Sequence, residues 1–278
     1  MRKRRICYAG ALGLALAVAV PATAMGSATQ NIDAGFQPQT NANVVFGQPA
    51  NLGSKPSKQG TLRTALFFTD IVRPAPSLQT VDVHLPQELK IDGKGLAECS
   101  PGQIDGKTPD AATAACKKSL VGTGSATAQD ITTPGDALLF NGTKKNGTPT
   151  LLVHIFTANV PIVLVGELRS SPLGSPYGQV LHVPVSVSAG GEVPPGLVVT
   201  RTELTKISKT FKDKKILKKA KKAKKQGNTK KYKKLKKKAK KNFVSAKCTD
   251  GTLSYRADFI HAPPDGTQSP TFEQPCTS

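Results

Sequence analysis

Short apolar runs of period two, cut apart by Gly and Pro, limit this chain to a narrow set of folds. In residues 80–85, Val81, Val83 and Leu85 share one face while Asp82 and His84 take the other, the alternation of a half-buried strand. Residues 252–262 repeat it, with Leu253, Tyr255, Ala257 and Phe259 on one side. Residues 150–158, 162–168, 179–187 and 196–205 read as further strands, and 61–70, 119–129 and 137–140 as weaker ones. The 25 Gly and 21 Pro fall between these runs and mark turns. The pattern predicts an all-β fold, an antiparallel β-sandwich of the Ig-like or jelly-roll-like kind. Helical periodicity is confined to the leader and one Lys-rich block. Residues 37–60 read as a polar loop or loosely packed arm, and 89–118 as a long connection that needs something to order it.

The leader sets the compartment. Arg2, Lys3, Arg4 and Arg5 precede an apolar run too short to prefer a membrane span, and small residues follow. The expected signal peptide is 1–24, with a cut after 28 as the alternative. This leaves 29–278 as one domain that is secreted, extracellular or loosely wall-associated. Cys7 leaves with the leader, so Cys99, Cys116, Cys248 and Cys276 remain, an even count in an oxidising compartment. Three pairings are open to four cysteines. Proximity in sequence favours Cys99–Cys116 and Cys248–Cys276, each worth roughly 3 kcal/mol by loop-closure entropy. A metal site is the competing reading, but the chain has no CxxC and no His beside either pair.

The formal charge of +21 is not spread over the surface. Residues 206–241 hold 20 Lys against one acid, Asp213, for a net +19. Apart from this block and the four basic leader residues, 15 basic and 17 acidic residues leave a body of −2. A near-neutral body with one basic block is a scaffold carrying an interaction segment. Within the insertion at 206–242, Ile216, Ala220 and Ala223 share helical spacing. Tyr232, Leu235, Ala239 and Phe243 do so again after Gly227-Asn228, a C-cap and turn signal. A helical hairpin is expected. Nine Lys pairs at i,i+4 oppose it by on the order of 2–4 kcal/mol, so its arms are marginal until an anionic polymer neutralises them.

The lysines expected to bind polyanions are Lys214, Lys215, Lys218, Lys219, Lys221, Lys222, Lys224, Lys225, Lys230, Lys231, Lys233, Lys234, Lys236, Lys237, Lys238, Lys240 and Lys241. The expected partner is an anionic polymer or membrane surface, bound without specificity: wall glycopolymer, anionic lipid or nucleic acid. The block has no Arg for base-edge recognition and one aromatic, Tyr232, so sequence-specific nucleic-acid reading is not expected. The competing reading is an insertion that only solubilises.

Residues 85–104 and 115–129, then "LFNGT", "GTPTLLVHIF" and "PGLVVTRTELT", resemble a family of secreted actinobacterial β-rich proteins of unknown function. Its pattern runs LPxGL, two Cys, S-VGTG-A-A, FNG and LLVH. The resemblance covers most of 81–205 and, more loosely, 248–278. It implies a scaffold and carries no catalytic residues. The chain departs from the pattern at Lys117, where Pro is common.

No catalytic, cofactor-binding or metal-ligating set is expected, and no enzyme. His84, His154, His182 and His261 show no metal-ligand spacing, and HExxH and GxSxG do not occur. The "VGTGSA" stretch lacks the Lys and helix of a phosphate loop and reads as a small-residue strand. The pairs Asp82/His84, Arg201/Glu203 and Arg256/Asp258 read as solvent-facing cross-strand partners rather than glycosidase carboxylates. A carbohydrate-binding module is the alternative for the body, weakened by the absence of Trp and the scarcity of Tyr. The "NGT" at 141 and 146 reads as Asn-Gly turn chemistry.

Overall fold

A computed structural model of the chain describes residues 29–39, 42–54, 58–69, 78–128, 133–157, 159–185, 187–188, 191–192, 199–263 and 266–278. The expected signal peptide lies outside the described residues. Eleven strands carry the fold: β1 (Thr29–Gln37), β2 (Thr61–Thr69), β3 (Leu78–Pro86), β4 (Leu120–Ala128), β5 (Gly135–Asn141), β6 (Thr150–Thr157), β7 (Val160–Ser170), β8 (Tyr177–Pro184), β9 (Val199–Ile207), β10 (Thr252–His261) and β11 (Thr271–Thr277). With the short strands Ala50–Asn51 and Thr267–Gln268 they form one 13-stranded sheet, in the order β1-β2-β9-β4-β5-β6-β7-β8-β3-β10-β11. The eleven pair antiparallel throughout; Ala50–Asn51 adds to β11 in parallel. The mainly β, antiparallel expectation is met. The weaker strand readings at 61–69, 120–128 and 137–140 are strands as well.

One face of the sheet encloses a single core. Ile32, Ala34 and Phe36 of β1, Val81, Val83 and Leu85 of β3, and Leu253, Tyr255, Ala257 and Phe259 of β10 all point into it. The alternation that is visible in the sequence is the inward face of these strands. Strands β5 to β7 differ, because both of their faces are buried. Ala137, Leu139, Leu151, Val153, Ile155, Ile162 and Leu164 face the main core. Leu138, Phe140, Leu152 and Val163 face a second, smaller one. A strand covered on both sides reads as a continuous apolar run, which accounts for "ALLF" and "TLLVHIF".

The cover over that second face comes from residues 89–118. Contrary to the expectation of an irregular connection, this segment forms two short helices, α1 (Pro101–Ile104) and α2 (Pro109–Cys116). Each starts with Pro at its first turn, where the missing N–H costs nothing. Ser100 donates its backbone N–H and hydroxyl to Gln103 Oε1 at the first helix start. Their brevity hides them from a search for 3.6-residue periodicity. The Cys99–Cys116 disulfide, with 5.7 Å between Cα atoms, spans the pair and lies in the second core. Lys209 of the segment after β9 donates from Nζ to Leu120 O at 2.6 Å and Lys117 O at 3.3 Å, just beyond α2. Burial lowers the pKa of that ammonium. Cys248–Cys276, 5.8 Å between Cα atoms, ties the segment before β10 to β11. Both pairings are those favoured by sequence proximity.

Among the described residues of 37–60, the chain is docked rather than loosely packed. Ala50 and Leu52 are fully buried in the main core, and Leu52 N–H donates to Thr277 O at 2.9 Å. Val44 of the same stretch is buried as well, and Arg63 donates to its carbonyl at 2.7 Å.

β1 and β11, the two long strands at the ends of the sheet order, meet through side chains. Gln274 of β11 is fully buried. Its Oε1 accepts from Phe36 N–H of β1 at 2.8 Å, and its Nε2 donates to Phe36 O at 3.0 Å and to Gln48 O at 2.8 Å. At the other end of β1, Gln30 N–H donates to Gln268 Oε1 at 3.0 Å and Gln30 Nε2 donates to His261 Nε2 at 2.6 Å. Replacing Gln274 with Ala leaves Phe36 N–H, Phe36 O and Gln48 O without their partner. Each such buried group costs about 1–3 kcal/mol. Urea unfolding of Gln274→Ala is expected to show a loss of about 3 kcal/mol or more. A change below about 0.5 kcal/mol, the size of a neutral surface substitution, rejects the closure role.

Candidate functional site

The Lys-rich block leaves the sheet on a two-stranded stem, Thr210–Lys212 against Lys240–Asn242. Lys206 and Ile207 belong to β9, and Ile207 is buried in the core, so the projecting part is shorter than residues 206–242. Above the stem stand α3 (Lys214–Lys225) and α4 (Thr229–Ala239), packed on each other. Ala220, Ala223 and Ala239 are buried, and Ile216, Leu217, Tyr232 and Leu235 are half-buried. Phe243 does not continue the helical stripe. The helix ends at Ala239, and Phe243 is fully buried in the main core.

The turn follows the residues. Gly227 has φ 72°, a left-handed value that favours glycine. Asn228 N–H returns to Ala223 O at 3.0 Å and Gly227 N–H to Lys224 O at 3.0 Å, the paired bonds of a Schellman end. Asn228 then starts α4, its Oδ1 accepting from Lys231 N–H at 2.9 Å.

The block's single acid is its anchor. Asp213 is buried and caps α3, with Oδ1 accepting from Lys215 N–H at 2.9 Å and Ile216 N–H at 3.2 Å. Its Oδ2 pairs with Lys241 Nζ at 3.1 Å, across the base of the hairpin. Burial raises the pKa of this carboxyl. The Ile216 amide and the Lys241 ammonium outweigh burial and hold it below its ordinary value. Gly95 packs against it at φ 91°, and a Cβ there would lie 3.0 Å from Asp213 Cγ.

Of the seventeen lysines expected to bind polyanions, Lys241 is half-buried and occupied by Asp213, and the other sixteen are exposed. None of those sixteen is in an ion pair among the described residues. Lys224 and Lys236 lie 5.7 and 5.9 Å from the centre of the Tyr232 ring, so that ring is covered by the block's own cations. Four of the i,i+4 Lys pairs fall inside α3 and three inside α4; 236/240 and 237/241 run past the end of α4. The residual repulsion is roughly 1.5–3.5 kcal/mol.

A second polar cluster lies on the outer face of β3, β8 and β10. His84 and Asp82 point away from the core, as their alternation predicts. Arg256 stands opposite His84 and Asp258 opposite Asp82 across the β3–β10 ladder, and His182 stands opposite Asp82 on β8. Two carboxylates facing each other destabilise a sheet unless each is hydrogen-bonded or paired elsewhere. Asp82 meets His182 Nδ1 at 2.6 Å. Asp258 accepts from Arg256 Nε at 2.6 Å and meets His84 Nε2 at 3.1 Å. His84 Nδ1 lies 3.0 Å from Ser171 Oγ, in the turn after β7. Burial raises the pKa of the Asp258 carboxyl, but the Arg256 and Ser269 hydrogen bonds overcome this and lower it.

Sequence reading takes Asp82 and His84 as solvent-facing cross-strand partners, and their contacts do run across strands, to His182 and Asp258. His84 is buried rather than solvent-facing, and its other partner, Ser171, comes from 87 residues away. No local spacing carries that signal. Arg201 and Glu203 do pair as neighbours, at 2.7 Å, and Arg63 joins them on Glu203 Oε1. His154 is fully buried, donates from Nε2 to Lys107 O at 2.9 Å and has its pKa lowered by burial. Glu203 O would lie 1.8 Å from a Cβ at Gly124, so the small residues of "VGTGSA" serve the strand contact between β4 and β9. Asn146 and Gly147 form the expected tight turn, whereas Asn141 is buried and donates to Ala97 O at 2.9 Å.

Tyr255 is in the core, Tyr177 packs on His84 at 5.6 Å, and Tyr232 is covered by lysines.

Asp213 carries two predictions. Its pKa is lowered on folding, so its stabilisation is present above the unfolded value near pH 4 and is lost as pH falls through the folded value. Hairpin amide exchange at Lys215 and Ile216 is therefore expected to stay slow down to about pH 4 and to quicken, beyond the intrinsic pH trend, below it. Asp213→Ala is expected to cost the hairpin about 1 kcal/mol through loss of the cap, seen as faster exchange at both amides near neutral pH. Unchanged protection rejects the anchor.

Compared with known proteins, the chain matches no protein-family model, no curated protein and no solved structure.

Proposed function

We propose that this is an exported, cell-envelope-associated protein whose hairpin is an electrostatic tether to polyanions. The observation that carries the reading is the sixteen exposed, acid-free lysines on one rooted projection from a body of net charge −2. A body charge near zero adds no attraction, so the hairpin supplies the binding free energy. Near an anionic membrane each lysine adds about 1 kcal/mol. On a phosphate polymer, six to ten contacts make affinity fall about 10³–10⁵-fold between 50 and 200 mM salt. Lysine heads are point charges without the planar fork of arginine, which suits non-specific contact with wall glycopolymer, lipid headgroups or nucleic acid.

The leader and the resemblance of residues 81–205 to secreted actinobacterial proteins support export. The disulfides are compatible with it. We read the body as a mount of the β-sandwich class, Ig-like or jelly-roll-like, in which one curled sheet supplies both layers. The reading assigns binding to the hairpin and no reaction to it.

The test compares the mature protein with a variant whose residues 214–239 are replaced by a short Gly-Ser loop. That cut keeps the Thr210–Lys212 and Lys240–Asn242 stem and spares Ile207 and Phe211 in the core. Co-sedimentation with anionic vesicles, wall polymer and DNA is measured across a salt series. Binding that falls steeply with salt in the parent and is absent in the variant is expected. Equal binding by both proteins refutes the tether.

A further inference from the structure

The outer-face cluster on β3, β8 and β10 contains a hydrogen-bonded chain of serine, imidazole and carboxylate. Ser171 Oγ to His84 Nδ1 is 3.0 Å, His84 Nε2 to Asp258 Oδ2 is 3.1 Å, and Asp258 Oδ1 to Arg256 Nε is 2.6 Å. Arg256 also donates to Ser269 Oγ at 3.0 Å.

The proton positions follow from the far end of the chain. Asp258 is held ionised by Arg256 and can only accept. His84 must therefore present Nε2–H to it. In the neutral ring this leaves Nδ1 as a lone pair, and the Ser171 hydroxyl is what lies against it. Ser171 thus donates to a base whose other nitrogen is oriented by a carboxylate, the arrangement that activates a hydroxyl nucleophile. The two ring nitrogens are exchanged relative to the usual serine-hydrolase assignment, in which the nucleophile meets Nε2. Either nitrogen transfers a proton equally well.

The surroundings favour chemistry at the serine. His84 is almost wholly buried, its ring packed by Tyr177, so bulk water does not compete for its nitrogens. Ser171 is only half-buried, and the next four residues of its turn are exposed. Its N–H is fixed on Gly178 O at 3.1 Å. Leu173 N–H donates to Ser171 Oγ at 3.3 Å, which fixes the oxygen in the turn and leaves its proton to His84 Nδ1. The Leu173 side chain is 43% exposed, an unusual position for a large apolar residue on this surface.

We propose that Ser171 is an activated nucleophile that accepts an acyl group from an ester with an apolar acyl chain. Ser171 Oγ attacks the ester carbonyl as its proton passes to His84 Nδ1, and Asp258 stabilises the imidazolium through Nε2–H. The carbonyl C–O bond to the leaving group breaks, and the departing alkoxide takes the proton back from Nδ1. The products are acyl-Ser171 and a neutral alcohol. No redox change and no metal enters the balance. The exposed Leu173 side chain gives the acyl chain its apolar contact. This goes beyond the tether, which does not involve these residues.

The experiment treats the folded, full mature protein with an alkyl fluorophosphonate, which bonds stably to activated serines and not to the many exposed lysines. Intact mass and peptide mapping are expected to find one adduct per chain, on Ser171. Ser171→Ala should abolish it, Asp258→Asn should slow it about a hundredfold or more, and Ser170→Ala should leave it unchanged. Circular dichroism confirms that each variant is folded. A folded parent that takes no adduct overturns the proposal. So does an adduct that survives Ser171→Ala, or one that forms as fast in Asp258→Asn.

Discussion

A sheet rolled round one core has two edges, and here buried glutamines join them. Ala50–Asn51 extends the ladder from β11 only at Cys276 and Thr277, and between β1 and β11 the contact passes through side chains. Gln274 substitutes its amide for a strand neighbour, taking Phe36 N–H and O as a paired strand would. At the other end of β1, the Gln268 side chain accepts from Gln30 N–H, and the Gln30 amide reaches His261 at the end of β10. A neutral amide is the suitable group, since it both donates and accepts and leaves no buried charge. The core depends on this seam: Ile32, Ala34 and Phe36 on one side and Cys276 on the other stay dry only while it is shut.

The closed body is a platform for two dissimilar surfaces. One is the hairpin, whose lysines repel one another and whose stability is correspondingly narrow. Asp213 is placed where it counters this best, at the start of α3, beside the returning Lys241, and buried enough that salt screens it little. The hairpin is rooted by one buried carboxylate and free to carry positive charge elsewhere. The other surface is the Ser171–His84–Asp258 chain, built on β3 and β10 near the end of their ladder and on the turn after β7. The rigidity of that ladder fixes the imidazole, and the turn after β7 brings the hydroxyl.

Disulfides finish the two places where the sheet alone is weakest. Cys99–Cys116 secures helices too short to persist alone, over the doubly buried strands β5 to β7. Cys248–Cys276 fixes β11, the strand that carries Gln274. The seam and the bond therefore lie on one short element, and loss of either loosens the other.

The sequence by itself determined nine of the eleven long strands, the all-β class, the charge block and the favoured pairing of the cysteines. All of these rest on local periodicity, composition or short loops. β1 and β11, the strands of the seam, were not read from it. Val81, Val83 and Leu85 announce their face because side chains alternate along any strand. Gly227-Asn228 announces the hairpin turn because so few residues take a left-handed backbone. The tertiary structure alone decided the rest. Asp213 looked like a stray acid until Lys241 and Gly95 came beside it. Nothing in the sequence marks Gln274, whose partner Phe36 of β1 lies 238 residues away. Ser171, His84 and Asp258 carry no common spacing, and only strand order sets β3 between β8 and β10. Contacts of that kind depend on which strands neighbour each other, and a chain's local pattern fixes each strand's face but not its neighbours.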